Sequence, residues 1–97
     1  MGRYLFDQYT LLHAATGVVA YFFAVPLRWW VLGHTAFELS ENTHAGMRLI
    51  NALPVWPGGK PRADTWTNML GDTLGAVLGW YVAAVVDSTG EQRHWYP

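Results

Sequence analysis

Between Tyr9 and Val25 the chain reads YTLLHAATGVVAYFFAV, an apolar run interrupted only by His13 and small residues. With Leu5 and Phe6 in front it approaches the roughly 20 residues that cross a bilayer, which predicts a first transmembrane helix over 6–25. Asp7 and His13 break the apolar character, and no small-residue cleavage pattern follows, so the run does not read as a cleaved signal peptide. Pro26 permits a turn. Residues 27–53 then predict a second helix, long and amphipathic, entered through Trp29 and Trp30. PVWPGGKPRAD, residues 54–64, holds three Pro and two Gly and cannot continue a helix. Residues 65–86, TWTNMLGDTLGAVLGWYVAAVV, predict a third spanning helix, and 87–97 a polar tail. The pattern specifies an all-α fold, a three-helix transmembrane bundle in a single domain over 1–97.

Composition strengthens this reading. Asp, Glu, Lys and Arg supply only 13% of the 97 residues, about half the roughly 25% usual in soluble domains. A soluble three-helix bundle is the competing reading, but its surface requires more charge than this chain has. Six Trp and five Tyr fit the level where membrane meets water. Mean hydropathy is only +0.09, because apolar runs are averaged with a polar loop and tail. A net charge of −1 without a basic cluster points to no nucleic-acid partner. With no Cys, disulfides and thiolate sites are excluded. Three spans put the N-terminus and the 54–64 loop on one side with Arg3, Arg48, Lys60 and Arg62, against Arg28 and Arg93 on the other. The positive-inside bias makes that first side cytoplasmic and the protein an integral membrane one.

The charged residues that remain fall on helix faces. At about 100° per residue, His34, Glu38, Glu41 and Arg48 occupy a sector of roughly 80° on the second helix, with Asn42 at its edge. On the third helix Asp64, Asn68, Gly71, Asp72, Gly75 and Gly79 share roughly 100°. Gly71, Gly75 and Gly79 form a doubled small-xxx-small motif for close helix approach, and the first helix offers Thr10, His13, Gly17, Ala20 and Ala24. These stripes converge on a protein interior, because a carboxylate facing lipid costs at least about 2.5 kcal/mol. Carboxylates that meet there cannot all ionise, so Glu38, Glu41, Asp72 and Asp64 pair with His13, His34 and Arg48, hold a proton or take a cation. The alternative role for the cluster is purely structural, fixing helix register through interhelical hydrogen bonds worth around 0.6 kcal/mol each.

DQYTLLH (Asp7 to His13), the acids Glu38 and Glu41, and DTWTNMLGDTLGAVLG (Asp64 to Gly79) together resemble the VanZ-like family of small polytopic membrane proteins and related bacterial membrane domains. Asp7, His13, Glu38 or Glu41, Asp64, Asn68, Gly71, Gly75 and Gly79 carry the likeness. It implies an architecture more than a reaction. ELSENTH and WPGGKPRAD depart from the family's outline, which leaves its glycopeptide-resistance association without a counterpart here.

Three chemistries suit these residues. Gly58 and Gly59 can expose backbone N–H groups beside Lys60 and Arg62, a cradle for a phosphate or lipid headgroup. His34, Glu38 and Glu41 have spacings compatible with a metal ion, although no His-Glu-x-x-His motif accompanies them and the metal is undetermined. His13 or His34 is a candidate tetrapyrrole ligand. The ligand-binding candidates are therefore His13, His34, Glu38, Glu41, Asn42, Asp64, Asn68 and Asp72, with no catalytic residue among them. Gly-x-Ser-x-Gly is absent, which speaks against serine hydrolysis. The expected partners are membrane lipids and either further copies of the chain or a larger membrane complex that it serves as an accessory subunit.

Overall fold

The computed structural model describes residues 3–54 and 63–96 of the chain. Four helices and no strand occur among them: α1 Gln8–Phe22, α2 Leu27–Glu41, α3 His44–Ala52 and α4 Trp66–Gln92. One of these, α4, is long and apolar enough to cross a membrane.

Asp7 starts α1 by accepting the Tyr9 N–H at 2.9 Å, while its own N–H donates to Thr10 Oγ1 at 3.0 Å. This is a reciprocal capping box, with Thr in place of the usual Glu. The helix ends earlier than residue 25. Ala24 adopts a left-handed φ of 61°, the Val25 N–H returns to the Ala20 carbonyl, and the Ala24 N–H returns to that of Tyr21. That pair of bonds is a Schellman closure built on Ala rather than Gly. The same closure ends α4, with His94 at φ 57° and the Trp95 N–H on the Gly90 carbonyl. Consequently α4 takes in most of the expected polar tail.

The expected continuous middle helix, 27–53, is two helices. Side chains compete with the backbone at the break: Asn42 Nδ2 donates to the Glu38 carbonyl at 2.8 Å, and the Thr43 hydroxyl donates to the Ser40 carbonyl at 2.7 Å. Thr43 then accepts the Gly46 N–H at 3.0 Å as the N-cap of α3. Gly46 presses on the same corner, where a Cβ would overlap the Ser40 carbonyl. One consequence corrects the expected polar stripe. Arg48 lies beyond the break and is exposed, so it does not join His34, Glu38 and Glu41.

The dominant contact is between α1 and α4, which run parallel. Leu5 meets Gly71, Thr10 meets Gly75, Ala14 meets Gly79, and Gly17 meets Ala76 and Trp80. A Cβ at Gly17, Gly71 or Gly79 would overlap a backbone carbonyl oxygen of the neighbouring segment, whereas at Gly75 the nearest atom is the Thr10 methyl at 2.8 Å. Here glycine permits backbone to touch backbone. Helix α2 returns antiparallel along α4, pinned by Trp30 Nε1 donating to the Ala76 carbonyl at 3.0 Å. Trp80 Nε1 donates to the Val25 carbonyl at 2.9 Å and ties down the α1–α2 corner.

Replacing Gly79 by Ala should therefore cost about 1–3 kcal/mol by overpacking a backbone contact. Gly33→Ala, where no atom lies within 4 Å of the added carbon, should be neutral or stabilising by up to about 1 kcal/mol. Ala24→Gly should gain about 1 kcal/mol by relieving the left-handed residue. Thermal melting of the three variants in detergent, followed by circular dichroism, checks the order.

Candidate functional site

The interior of this bundle is polar. His34, Glu38, Glu41, Asn68 and Asp72 are buried, whereas the buried hydrophobic residues among those described are Ala20, Ile50, Met69, Ala76 and Ala83. Large apolar side chains point outward, among them Leu11 at 75% exposure and Phe23 at 78%, while Glu38 is 2% exposed.

Two groups of polar residues divide the interior. The first lies where the segment before α1 meets the start of α4. Asn68 Nδ2 donates to the Tyr4 carbonyl at 2.7 Å and to Asp7 Oδ2 at 3.2 Å. Thr65 caps α4 by accepting the Asn68 N–H at 3.1 Å, and its hydroxyl donates to the Arg3 carbonyl at 3.1 Å. Asn42 Oδ1 accepts the Asp64 N–H at 2.7 Å, joining the end of α2 to the entry of α4. Asn42 and Asn68 are thus held in structural bonds, to backbone groups and, for Asn68, to the Asp7 carboxylate that caps α1.

The second group is a chain of side chains across all three long helices. His13 Nε2 lies 3.3 Å from Asp72 Oδ2. His13 Nδ1 lies 2.8 Å from His34 Nε2, and His34 Nδ1 lies 3.3 Å from Thr73 Oγ1. The two imidazoles meet edge to face at 77°, with centroids 4.9 Å apart, and Trp30 packs edge-on to His34. Glu38 sits beside this chain. His13, His34 and Glu38 each place one ligand atom within 4.8 Å of the others', and so do Glu38, Asp64 and Asp72. Neither group includes Glu41, which is buried at the last turn of α2. Asp72 Oδ1 is buried without a hydrogen-bond partner.

Three carboxylates and two imidazoles thus come together in this interior. Arg3, Arg28, Arg48 and Arg93 are all exposed. Carboxylate and imidazole are donor types that suit a cation rather than a phosphate. A tetrapyrrole fares poorly for a steric reason: each imidazole nitrogen faces a protein atom at 2.8 to 3.3 Å, with no clearance for a macrocycle. The phosphate cradle Gly58, Gly59, Lys60 and Arg62 lies outside the described residues.

Thr73 is the member of this site that the helical-face pattern passes over. It lies 100° from Asp72 on α4, outside the glycine-bearing face, because Asp72 addresses α1 and Thr73 addresses α2. At the opposite end of the bundle, Tyr21 Oη donates to Asp87 Oδ2 at 2.7 Å, and Tyr96 Oη contacts both the carboxylate and the carbonyl of Asp87. The carboxylate beside it pushes the Tyr96 hydroxyl up to about 12.

No protein-family model, curated protein or solved structure matches the chain. The VanZ-like likeness therefore rests on its short motifs alone.

Because Asn68 serves the Tyr4 carbonyl and Asp7 rather than the imidazole chain, Asn68→Ala should cost about 1–3 kcal/mol by removing a fully buried side chain and both of its hydrogen bonds. Any ion dependence of the melting temperature should survive that substitution, which a melting series with and without added cations measures.

Proposed function

We propose that the protein is a small helical integral membrane protein whose polar interior binds a cation. The observation that supports this most is the inversion of the usual pattern, with acids and histidines inside and Leu, Phe and Val outside. In water such a surface is an aggregation hazard; in lipid it is the favourable arrangement. From Asn68 to Asp87, the positions of α4 that bond to Asp7 and Tyr21, there are 19 residue steps. That is about 28 Å, close to the roughly 30 Å hydrocarbon core. In this proposal α1 and α2, 15 residues and about 22 Å each, lie beside α4 as two shorter crossings, which a locally thinned bilayer accommodates. In this arrangement residues 3–7 and 63–65 share one face of the membrane, and the balance of Lys and Arg makes it the cytoplasmic one.

A lipid headgroup would enter at the same end, but the acids favour its cationic part over its phosphate. The imidazole chain lies four to five residues along α4 from Asn68, about 6–7.5 Å below that face.

A second reading, an accessory subunit of a larger membrane complex or a homo-oligomer, is favoured by an apolar groove of about 790 Å³ between α1 and α2, lined by Leu12, Val19, Phe23, Trp29 and Phe37. Native size analysis in detergent separates a lone chain from an assembly.

Two experiments test the cation reading. The protein should stay in the membrane pellet through a carbonate wash, and release into the supernatant would refute the location. Screening the purified protein against monovalent and divalent cations should find at least one that raises the melting temperature. Glu38→Gln should abolish that rise while leaving the ion-free fold intact, and a wild type indifferent to every cation would overturn the reading.

A further inference from the structure

Resting on that reading, we infer that the cation is a first-row transition metal ion, held by His13 Nδ1, His34 Nε2 and a Glu38 carboxylate oxygen, with Asp72 as the residue that positions His13. The geometry is already close to a coordination shell. Two nitrogens bound at right angles to one ion, each at about 2.1 Å, are about 3.0 Å apart, and His13 Nδ1 and His34 Nε2 are 2.8 Å apart. The Glu38 oxygen lies within 4.8 Å of both rings' ligand atoms.

The outer nitrogens are arranged as metal-bound histidines require. A ligating imidazole donates its other N–H to a carboxylate, carbonyl or hydroxyl, which fixes its tautomer. His13 Nε2 has Asp72 Oδ2 at 3.3 Å, and His34 Nδ1 has Thr73 Oγ1 at 3.3 Å. Without an ion the inner nitrogens share a hydrogen. With both rings neutral, His13 donates from Nε2 to Asp72, His34 donates from Nε2 to His13 Nδ1, and Thr73 donates to His34 Nδ1. Metal entry requires that His34 lose the proton on Nε2 and gain one on Nδ1, and that both rings turn so that the inner lone pairs, directed along the hydrogen bond in the ion-free state, converge on the ion. Each ring then donates outward.

A second observation points the same way. Asp72 Oδ1 is buried with no hydrogen-bond partner, and an Asp72 oxygen lies within 4.8 Å of a Glu38 ligand oxygen. It is an acceptor for a water carried by the ion, which three protein donors leave room for. Two imidazoles and one carboxylate select borderline ions such as Fe²⁺, Co²⁺ and Zn²⁺ over Mg²⁺ and Ca²⁺, which prefer all-oxygen shells.

The test uses the full chain in detergent, stripped by a chelator and titrated with Co²⁺ and with Zn²⁺, read by native mass spectrometry and by cobalt absorption. One ion per chain should bind, undisturbed by excess Mg²⁺ or Ca²⁺. Glu38→Gln and His34→Gln should lose it at concentrations that saturate the wild type. Asp72→Asn should weaken binding about 10- to 100-fold, and Glu91→Gln, on the exposed far end of α4, should leave it unchanged. Because a histidine variant can fail to fold, Cu²⁺ on the wild type is also read by electron paramagnetic resonance for imidazole nitrogen coupling, which needs no substitution. No Co²⁺ or Zn²⁺ on the wild type, full retention in Glu38→Gln, or a copper spectrum without imidazole nitrogens overturns the assignment. If Na⁺ or Ca²⁺ raises the melting temperature while Co²⁺ and Zn²⁺ do not bind, this inference fails and the broader cation reading stands. If no cation of any kind has an effect, both fail.

Discussion

Close approach of α1 to α4 is the constraint on which the other features depend. Gly17, Gly71 and Gly79 remove the side chains that would hold the two backbones apart, and dispersion contact along the seam takes the place of a bulky apolar core. The same approach sets the distance between His13 on α1 and Asp72 on α4. A wider seam would break that contact and leave a buried carboxylate facing nothing. Packing and polar chemistry are thus one arrangement.

The bundle divides its interior polar groups between different tasks. Asp7, Asn42, Thr43, Thr65 and Asn68 are consumed by helix ends, where backbone groups lack helical partners. His13, His34 and Thr73 face one another across helices and leave the backbone alone. The first set accounts for why several acids and amides are present at all. The second set has no such local purpose, which is why it carries the functional proposal.

Aromatic residues fasten the α1–α2 corner and the distal end. Trp30 and Trp80 use the indole N–H as a fixed donor to carbonyls, one in the middle of α4 and one at the end of the hairpin. The Ala76 and Val25 carbonyls thereby gain side-chain donors. At the distal end, Tyr21 and Tyr96 converge on Asp87, so the helix closure at His94 is held by a side chain as well as by its backbone bonds.

The all-helical class was legible in the sequence because apolar runs, Pro26 and the Pro- and Gly-rich loop act through local backbone chemistry. So was the clustering of small residues on one face of the last helix, a consequence of helical period alone. Helix ends were less legible. Ala24 and His94 take left-handed positions that composition assigns to Gly, and only the returning N–H groups of Val25 and Trp95 show where α1 and α4 stop. The break at Asn42 and Thr43 depends on side chains capturing carbonyls of the preceding turn, a competition that hydrophobic period does not register. His13, His34, Glu38 and Asp72 were identifiable as polar residues in an apolar chain. Which of them meet was decided by the tertiary structure, because an interhelical distance depends on where two backbones cross. Thr73 joined and Arg48 left for the same reason: facing is a relation between helices, and a single helix's period describes only one of them.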